Sequence, residues 1–180
     1  MIGGGGRTML RRALERSGGI PGDAEFSELH AHLLEFYGDN IDRHTRLFPG
    51  GEAMLDGLAA SGVKLAVVTN KLEALAVKSF AALGLTSRFY TIIGGDTLGP
   101  GRAKPGRDLI DLMISRGVAL GGGGKAAYVG DTTYDTGAAR AAGIPCVAVS
   151  FGFNDLPVQD LGADAVIDHF DELILALAKL

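Results

Sequence analysis

The chain has a single cysteine, Cys146, in 180 residues, so no internal disulfide can brace it. It has no apolar run near the ~20 residues that a membrane-spanning helix needs. It has no excess of positive charge: 17 Lys and Arg against 21 Asp and Glu give a net charge of −4, and no basic residues cluster into a stripe. That balance argues against a nucleic-acid binder that works by neutralising phosphates. A phosphate-ester ligand stays compatible, because a site needs only local positive potential. The four histidines show no mutual metal-ligand spacing. His30 and His32 stand two apart on a helix and point to different faces, so they, His44 and His169 are assigned surface or packing roles. The N-terminal stretch has neither the basic nor the apolar region of a secretory signal, and the expected compartment is the cytoplasm. No internal repeat and no low-complexity tail is visible.

What is present fits an ordinary globular chain: 47% hydrophobic and 21% charged residues, in a length suited to one domain with a small appendage. Cys146 lies in the run Ile144 to Val149, which reads as a buried strand, so it is expected to be a small core residue. The 28 glycines include two runs of four, Gly3–Gly6 and Gly121–Gly124. Neither is a phosphate-cradling loop of the P-loop type. The first has no strand before it, and the second is followed by Lys125-Ala126 and then a strand. Both are expected to be turns or helix boundaries.

Apolar periodicity divides the chain. From Arg7 to about Tyr37 the spacing is helical, with a break at Ser17-Gly18-Gly19 and a turn at Pro21-Gly22-Asp23. The second helix is expected to turn Phe26, Leu29, Leu33, Leu34, Phe36 and Tyr37 to one apolar face. Residues 1–46 therefore form a helical unit, and the character changes at Leu47-Phe48-Pro49-Gly50. From there helices alternate with short apolar strands: helix 52–60, strand 63–69, helix 72–83, strand 90–93, helix 107–115, strand 126–129, helix 133–142, strand 146–150, strand 165–167 and helix 170–178. Near-continuous apolar strands alternating with helices predict a doubly wound parallel α/β sheet. Ligands of such sheets bind outside the carboxyl ends of the strands.

Three segments place chemistry at that edge. Thr69 ends a strand and Asn70-Lys71 follows it, so a hydroxyl and the N–H groups of a helix start can receive an anion; a plain helix cap uses the same donors. Lys104 precedes Pro105, which stiffens its backbone, and its ammonium can neutralise phosphoryl oxygens. Asp131 and Asp135 stand four apart across a strand-to-helix turn. They suit a hard cation such as Mg2+, which takes one or two carboxylates with waters and phosphate oxygens, or they cap and stabilise the helix start.

Taken in order, Val67-Val68-Thr69-Asn70, Lys104-Pro105 and Val129-Gly130-Asp131-Thr132-Thr133-Tyr134-Asp135 resemble the haloacid dehalogenase-like phosphatases. Leu47-Phe48-Pro49-Gly50-Gly51, Gly94-Gly95-Asp96-Thr97-Leu98 and Ser150-Phe151-Gly152-Phe153 bring the resemblance closest to their phosphoglycolate-phosphatase-like branch. The resemblance implies a Rossmann-like core over residues 47–180, a partial helical cap over 1–46, and a Mg2+-dependent phosphatase of small phosphorylated metabolites. It implies that Thr69 and Asn70 bind and orient the phosphoryl group and that Lys104 stabilises the transferring phosphate. Asp131 would ligate Mg2+, with Asp135 in the same metal loop.

The family's nucleophile is an aspartate in an Asp-x-Asp turn at the end of a strand lying between those that end at Thr69 and Asp131. No segment before Val67 supplies it. The expectation is therefore a core without its central strand, inactive or weak by itself, from a shortened gene product or an incorrect start site. The gap would be closed by direct pairing of the flanking strands, by another chain, or not at all. Two further readings follow: a non-catalytic phosphate- or metabolite-binding protein, and an interaction module whose open strand edges recruit a partner, a second copy included.

Overall fold

The computed structural model describes residues 3–123 and 125–180; Met1, Ile2 and Gly124, which belong to the N-terminal stretch and the second glycine run, lie outside the described residues. Helices α1 (Gly5–Ser17) and α2 (Asp23–Asp39) form an antiparallel hairpin, and α3 (Gly51–Ala60) opens the part in which strands and helices alternate. Strands β1 (Ala66–Val68) and β2 (Thr91–Ile93) flank α4 (Glu73–Ala82). Helix α5 (Asp108–Ala119) leads to β3 (Tyr128–Gly130), α6 (Thr133–Ala142) and β4 (Cys146–Val149). Strand β5 (Ala165–Ile167) and α7 (Leu173–Leu177) end the chain.

All strand pairs are parallel, as the alternation of strands and helices predicts. They form two sheets, β1-β2 and β3-β4-β5, and among the described residues no ladder joins β1 to β3. Of the expected ways to close that gap, direct pairing does not occur. One continuous layer bridges it instead. Helices α5 and α6 pack on each other, α5 on β1 and β2, and α6 on β3 and β4. Val68 and Ile93 of one sheet thereby share a core with Tyr128 and Cys146 of the other through Leu109, Ile110, Ala138 and Ala139. Leu109 and Ile110 are fully buried, each worth ~1.5–3 kcal/mol of transfer free energy. Side chains alternate along β4, so Val147 and Val149 face the opposite side and meet Leu58 of α3, Ile167 and Leu173 of α7.

Several elements depart from their sequence reading. The strand expected over 63–69 is regular only over Ala66–Val68, because residues 63–65 precede the register with β2. The helix expected over 170–178 is a 3-10 turn, Phe170–Glu172, followed by α7. The apolar face of α2 is narrower than expected: Phe26 is buried, whereas Leu29 and Phe36 are exposed. Phe26 is covered by the guanidinium groups of Arg7 and Arg11, 4.8 and 5.0 Å from its ring centroid, rather than by a second apolar stripe. The hairpin reaches the rest of the chain through polar contacts. Lys71 Nζ donates to Tyr37 Oη at 2.6 Å, and Lys78 Nζ to the carbonyl of Gly38 at 2.7 Å. No helix among the described residues is long and apolar enough to cross a membrane.

Candidate active site

The carboxyl ends of β1 and β3 carry the site. On β1, the Thr69 N–H donates to Ile93 O and Leu65 O accepts from the Tyr90 N–H. Backbone groups alternate along a strand, so those of Val68 turn away from β2, toward β3. There Val68 O receives no backbone donor. It accepts from Lys104 Nζ at 3.1 Å and from Tyr128 Oη at 2.6 Å.

Lys104 is the hub. Its ammonium also donates to Tyr128 Oη at 2.8 Å and to Asp135 Oδ1 at 2.5 Å. Its three protons thus meet three acceptors. Its backbone is fixed by Asn70, whose Oδ1 accepts the Lys104 N–H at 2.8 Å and whose Nδ2 donates to Lys104 O at 3.0 Å. The same Nδ2 donates to Gly3 O at 2.7 Å. A lysine that the sequence places in a loop is therefore only 9% exposed. Burial alone would push its ammonium down, but Tyr128 and Asp135 more than offset this and hold it above its ordinary value. Burial pushes the Tyr128 phenol up to about 12 against the pull of Lys104, so it stays a hydroxyl donor.

Asp135 is saturated as well. Besides Lys104, its Oδ2 accepts from the N–H of Asp131 at 3.1 Å, the N–H of Thr132 at 2.9 Å and Thr132 Oγ1 at 2.6 Å. Thr132 is the N-cap of α6, and Asp135 closes back onto it as the acidic half of a capping box. Burial alone would raise the Asp135 carboxyl, but Lys104, Thr132 and the Asp131 N–H hold it below its usual range. With its acceptor positions taken, Asp135 stands as the brace of the Asp131 loop rather than as a second free metal ligand.

Asp131 differs. Its Oδ2 accepts the Phe153 N–H at 2.8 Å, and its Oδ1 has no hydrogen-bond partner among the described residues. Burial, helped by the neighbouring Asp135 carboxylate, raises its pKa. A group of this kind gains from a cation. The loop around it is closely packed: a Cβ on Gly152 would lie 2.3 Å from Asp131 Cβ, and one on Gly130 would lie 2.3 Å from Asp135 Cβ. Among the described residues no three His, Cys, Asp or Glu gather as a metal cage. The donor set fits an ion held by one carboxylate and otherwise by water and substrate oxygens, which is how Mg2+ is bound.

Thr69 is half-buried, and its oxygen accepts the Lys71 N–H at 3.1 Å, leaving its own proton for a ligand. The glycines Gly3 and Gly4 close the other side. A Cβ on Gly3 would approach the Tyr134 ring to 2.9 Å, at a φ of +107° that side chains avoid. All five residues singled out in the sequence, Thr69, Asn70, Lys104, Asp131 and Asp135, lie in this one arrangement.

Other contributors escape a sequence reading. Tyr128 reads as an ordinary strand aromatic. Asn154 donates to Asp131 O at 2.9 Å and Val149 O at 3.0 Å, and Asp155 accepts from Thr133 N and Oγ1 at 2.8 and 2.6 Å. Their position just past β4, at the carboxyl edge, is the signal that could have found them. Phe153 and Phe151 rest on Phe48 with ring centroids 5.9 and 5.5 Å away, so the turn before α3 supports the loop that holds Asp131.

A profile of the family described as haloacid dehalogenase-like hydrolase matches residues 8–149. The chain is 38% identical over 178 residues to a phosphoglycolate phosphatase of Mesorhizobium japonicum, covering 99% of this chain and 77% of that protein. It is 36% identical to one of Agrobacterium fabrum, covering 98% and 74%. A solved structure described as a predicted phosphoglycolate phosphatase from Haemophilus somnus overlays with a TM-score of 0.81 at 26% identity, over 98% of this chain and 79% of the solved one. The fold is also that of CbbY from Rhodobacter sphaeroides, solved with phosphate, at a TM-score of 0.76 and 24% identity. Motif order, site arrangement and kinship agree: the chain belongs to the haloacid dehalogenase-like hydrolases, within their phosphomonoester hydrolases.

Proposed function

We propose that the site serves a Mg2+-dependent phosphatase of small phosphorylated metabolites, with a phosphoglycolate-like ester as the substrate class and residues 1–46 acting as a partial cap. The observation that carries this reading is the contrast between Asp131, which keeps one oxygen free, and Asp135 and Lys104, whose partners lock the frame around it. Bound to Asp131, the ion supplies charge neutralisation to the phosphoryl oxygens. Thr69 offers a hydroxyl to the same group. Lys104 supplies a fixed positive charge beside it, positioned by Asn70 and Asp135. Asn70 thereby acts through Lys104 more than on the substrate.

The family's covalent route through an aspartyl-phosphate needs a carboxylate free to attack. Around the ends of β1 and β3 the described residues place Asp131, Asp135 and Asp155, while Asp96 and Asp168, past β2 and β5, accept from the Glu73 N–H and Ser150 Oγ. Asp131 is the metal ligand, and Asp135 and Asp155 are engaged by Lys104, Thr132 and Thr133. By itself the chain is therefore expected to bind Mg2+ and phosphate but to hydrolyse esters weakly or not at all. The alternative, a protein that binds phosphate or a metabolite without turnover, shares the first property and is contradicted by any turnover, however weak, that Asp131→Ala abolishes.

The test is calorimetric titration with Mg2+ and hydrolysis of p-nitrophenyl phosphate and phosphoglycolate, on the chain and on Asp131→Ala. Mg2+ binding that the substitution abolishes supports the reading. Binding unchanged in Asp131→Ala sinks the metal assignment. Rapid turnover by the unmodified chain sinks the account of its nucleophile.

A further inference from the structure

The hairpin of α1 and α2 divides its charge between its two helices. Helix α1 carries four arginines and a single carboxylate, Glu15. Helix α2 carries five carboxylates and no lysine or arginine. The two helices pack on each other, yet among the described residues no salt bridge involves either of them. Arg7 and Arg11 lie over the Phe26 ring instead. The remaining charge of each helix is turned away from the other.

On α2 the outer face is one stripe. Glu25, Glu28, His32, Glu35 and Asp39 recur in steps of three and four residues, and all are exposed. The opposite stripe faces inward: Phe26 is buried, and a Cβ on Gly6 of α1 would lie 3.5 and 3.6 Å from Leu34 and His30. Beside the acidic stripe Phe36 is 69% exposed, more than any other large apolar side chain among the described residues, and Leu29 is exposed two turns before it. His32, Glu35, Phe36 and Asp39 together line a shallow hollow. An aromatic ring flanked by carboxylates suits a guanidinium, which stacks on the ring while donating to the acids. The stacking half of that arrangement already occurs inside the hairpin, at Phe26.

The complement stands on α1. Met9, Arg12, Ala13 and Arg16 share one helix face, with Met9 and Arg16 exposed and Arg12 half-buried. The spacings match as well. Met9 and Arg16 are seven residues apart, as are Leu29 and Phe36. Laid parallel, the two faces put Met9 on Leu29, Arg12 on His32 between Glu28 and Glu35, and Arg16 on Phe36 between Glu35 and Asp39.

We infer that the hairpin is a self-association surface: the Met9–Arg16 face of one copy docks on the Leu29–Asp39 face of a second copy of this chain. A single helix pair buries less than a stable interface, so the association is weak and reversible. It is carried by exposed charges and is therefore weakened by salt. None of these residues belongs to the active site, so this proposal and the phosphatase reading stand or fall separately.

The experiment is sedimentation velocity of the full chain over a dilution series, at low and high salt. The parent is expected to associate as its concentration rises and to dissociate when salt is added. Arg12→Glu with Arg16→Glu should weaken association by about tenfold or more, and so should Glu35→Arg with Asp39→Arg. An equal mixture of these two variants should associate again, because each restores the opposite charge for the other. A parent that stays monomeric throughout overturns the proposal. So does either variant associating as tightly as the parent, which places the contact on another face. A mixture no tighter than its separate components overturns the charge pairing. Circular dichroism checks the fold; if a paired variant loses helicity, Arg16→Glu and Glu35→Arg alone carry the same test.

Discussion

The Lys104 ammonium and the Asp135 carboxylate stand 2.5 Å apart with both side chains 8% exposed. Lys104, in the loop before α5, also donates to Val68 O at the end of β1, so the two halves of the site are held by one buried ion pair to α6 and its hydrogen bonds. A buried pair owes its stability to complete pairing, and removing one partner strands the other charge.

Asp135→Asn is accordingly expected to cost ~3–5 kcal/mol of folding stability. Lys104→Met should cost a similar amount, and the double variant less than the sum of the two. Urea unfolding of the four proteins measures this. A loss below ~1 kcal/mol for Asp135→Asn, the median worth of an exposed pair, would mean that solvent reaches the pair.

The two aspartates carry opposite pH signatures. The folded pKa of Asp135 is depressed, so its stabilisation is present above the unfolded carboxylate value and is lost as pH falls through the lower folded value. The folded pKa of Asp131 is raised, so its ionised form is a burden at neutral pH that is relieved as pH falls through the raised value. Without Mg2+, Asp131→Asn should therefore be more stable than the parent at pH 7, and the difference should shrink on acidification. Unfolding midpoints between pH 7 and pH 4 test it; a gain that grows toward acid pH contradicts the assignment.

Mg2+ should restore what Asp131 costs. An ion that binds only the folded chain adds ~2.7 kcal/mol at a hundred times its Kd. Thermal unfolding of the parent is expected to move up with Mg2+, while that of Asp131→Ala stays put. Equal shifts in both would place the ion elsewhere.

Tyr128→Phe removes one of two donors to Val68 O and one acceptor of Lys104. The expected cost is ~0.5–1.5 kcal/mol for each hydrogen bond lost, read by urea unfolding. A neutral outcome would show that water takes the place of the hydroxyl.

Gly152→Ala brings a methyl group against Asp131, its Cβ 2.3 Å from that of the aspartate. Either the loop after β4 or Asp131 must move. Mg2+ affinity should fall by more than tenfold with the fold retained, as calorimetry and circular dichroism would show. Unchanged affinity would mean that the loop yields and Asp131 does not.

The sequence by itself determined the order of helices and strands, because apolar spacing follows the local geometry of each element. It also singled out Thr69-Asn70 and Asp131 to Asp135 at the ends of strands and Lys104-Pro105 in the loop before α5, segments that the fold brings together. The part that only tertiary structure decided is who holds whom. Asn70 spends its amide on the Lys104 backbone, Asp135 spends its carboxylate on Lys104 and Thr132, and Tyr128 reaches across to Val68 O. These partners lie 3 to 60 residues apart in the chain. Periodicity reports which face of its own element a side chain takes, but not what the neighbouring element presents to it. The separation of β1 from β3 is of the same kind. Each strand is legible from its apolar run, while the choice of neighbour depends on hydrogen bonds and packing that form only when α5 and α6 bring the two sheets side by side.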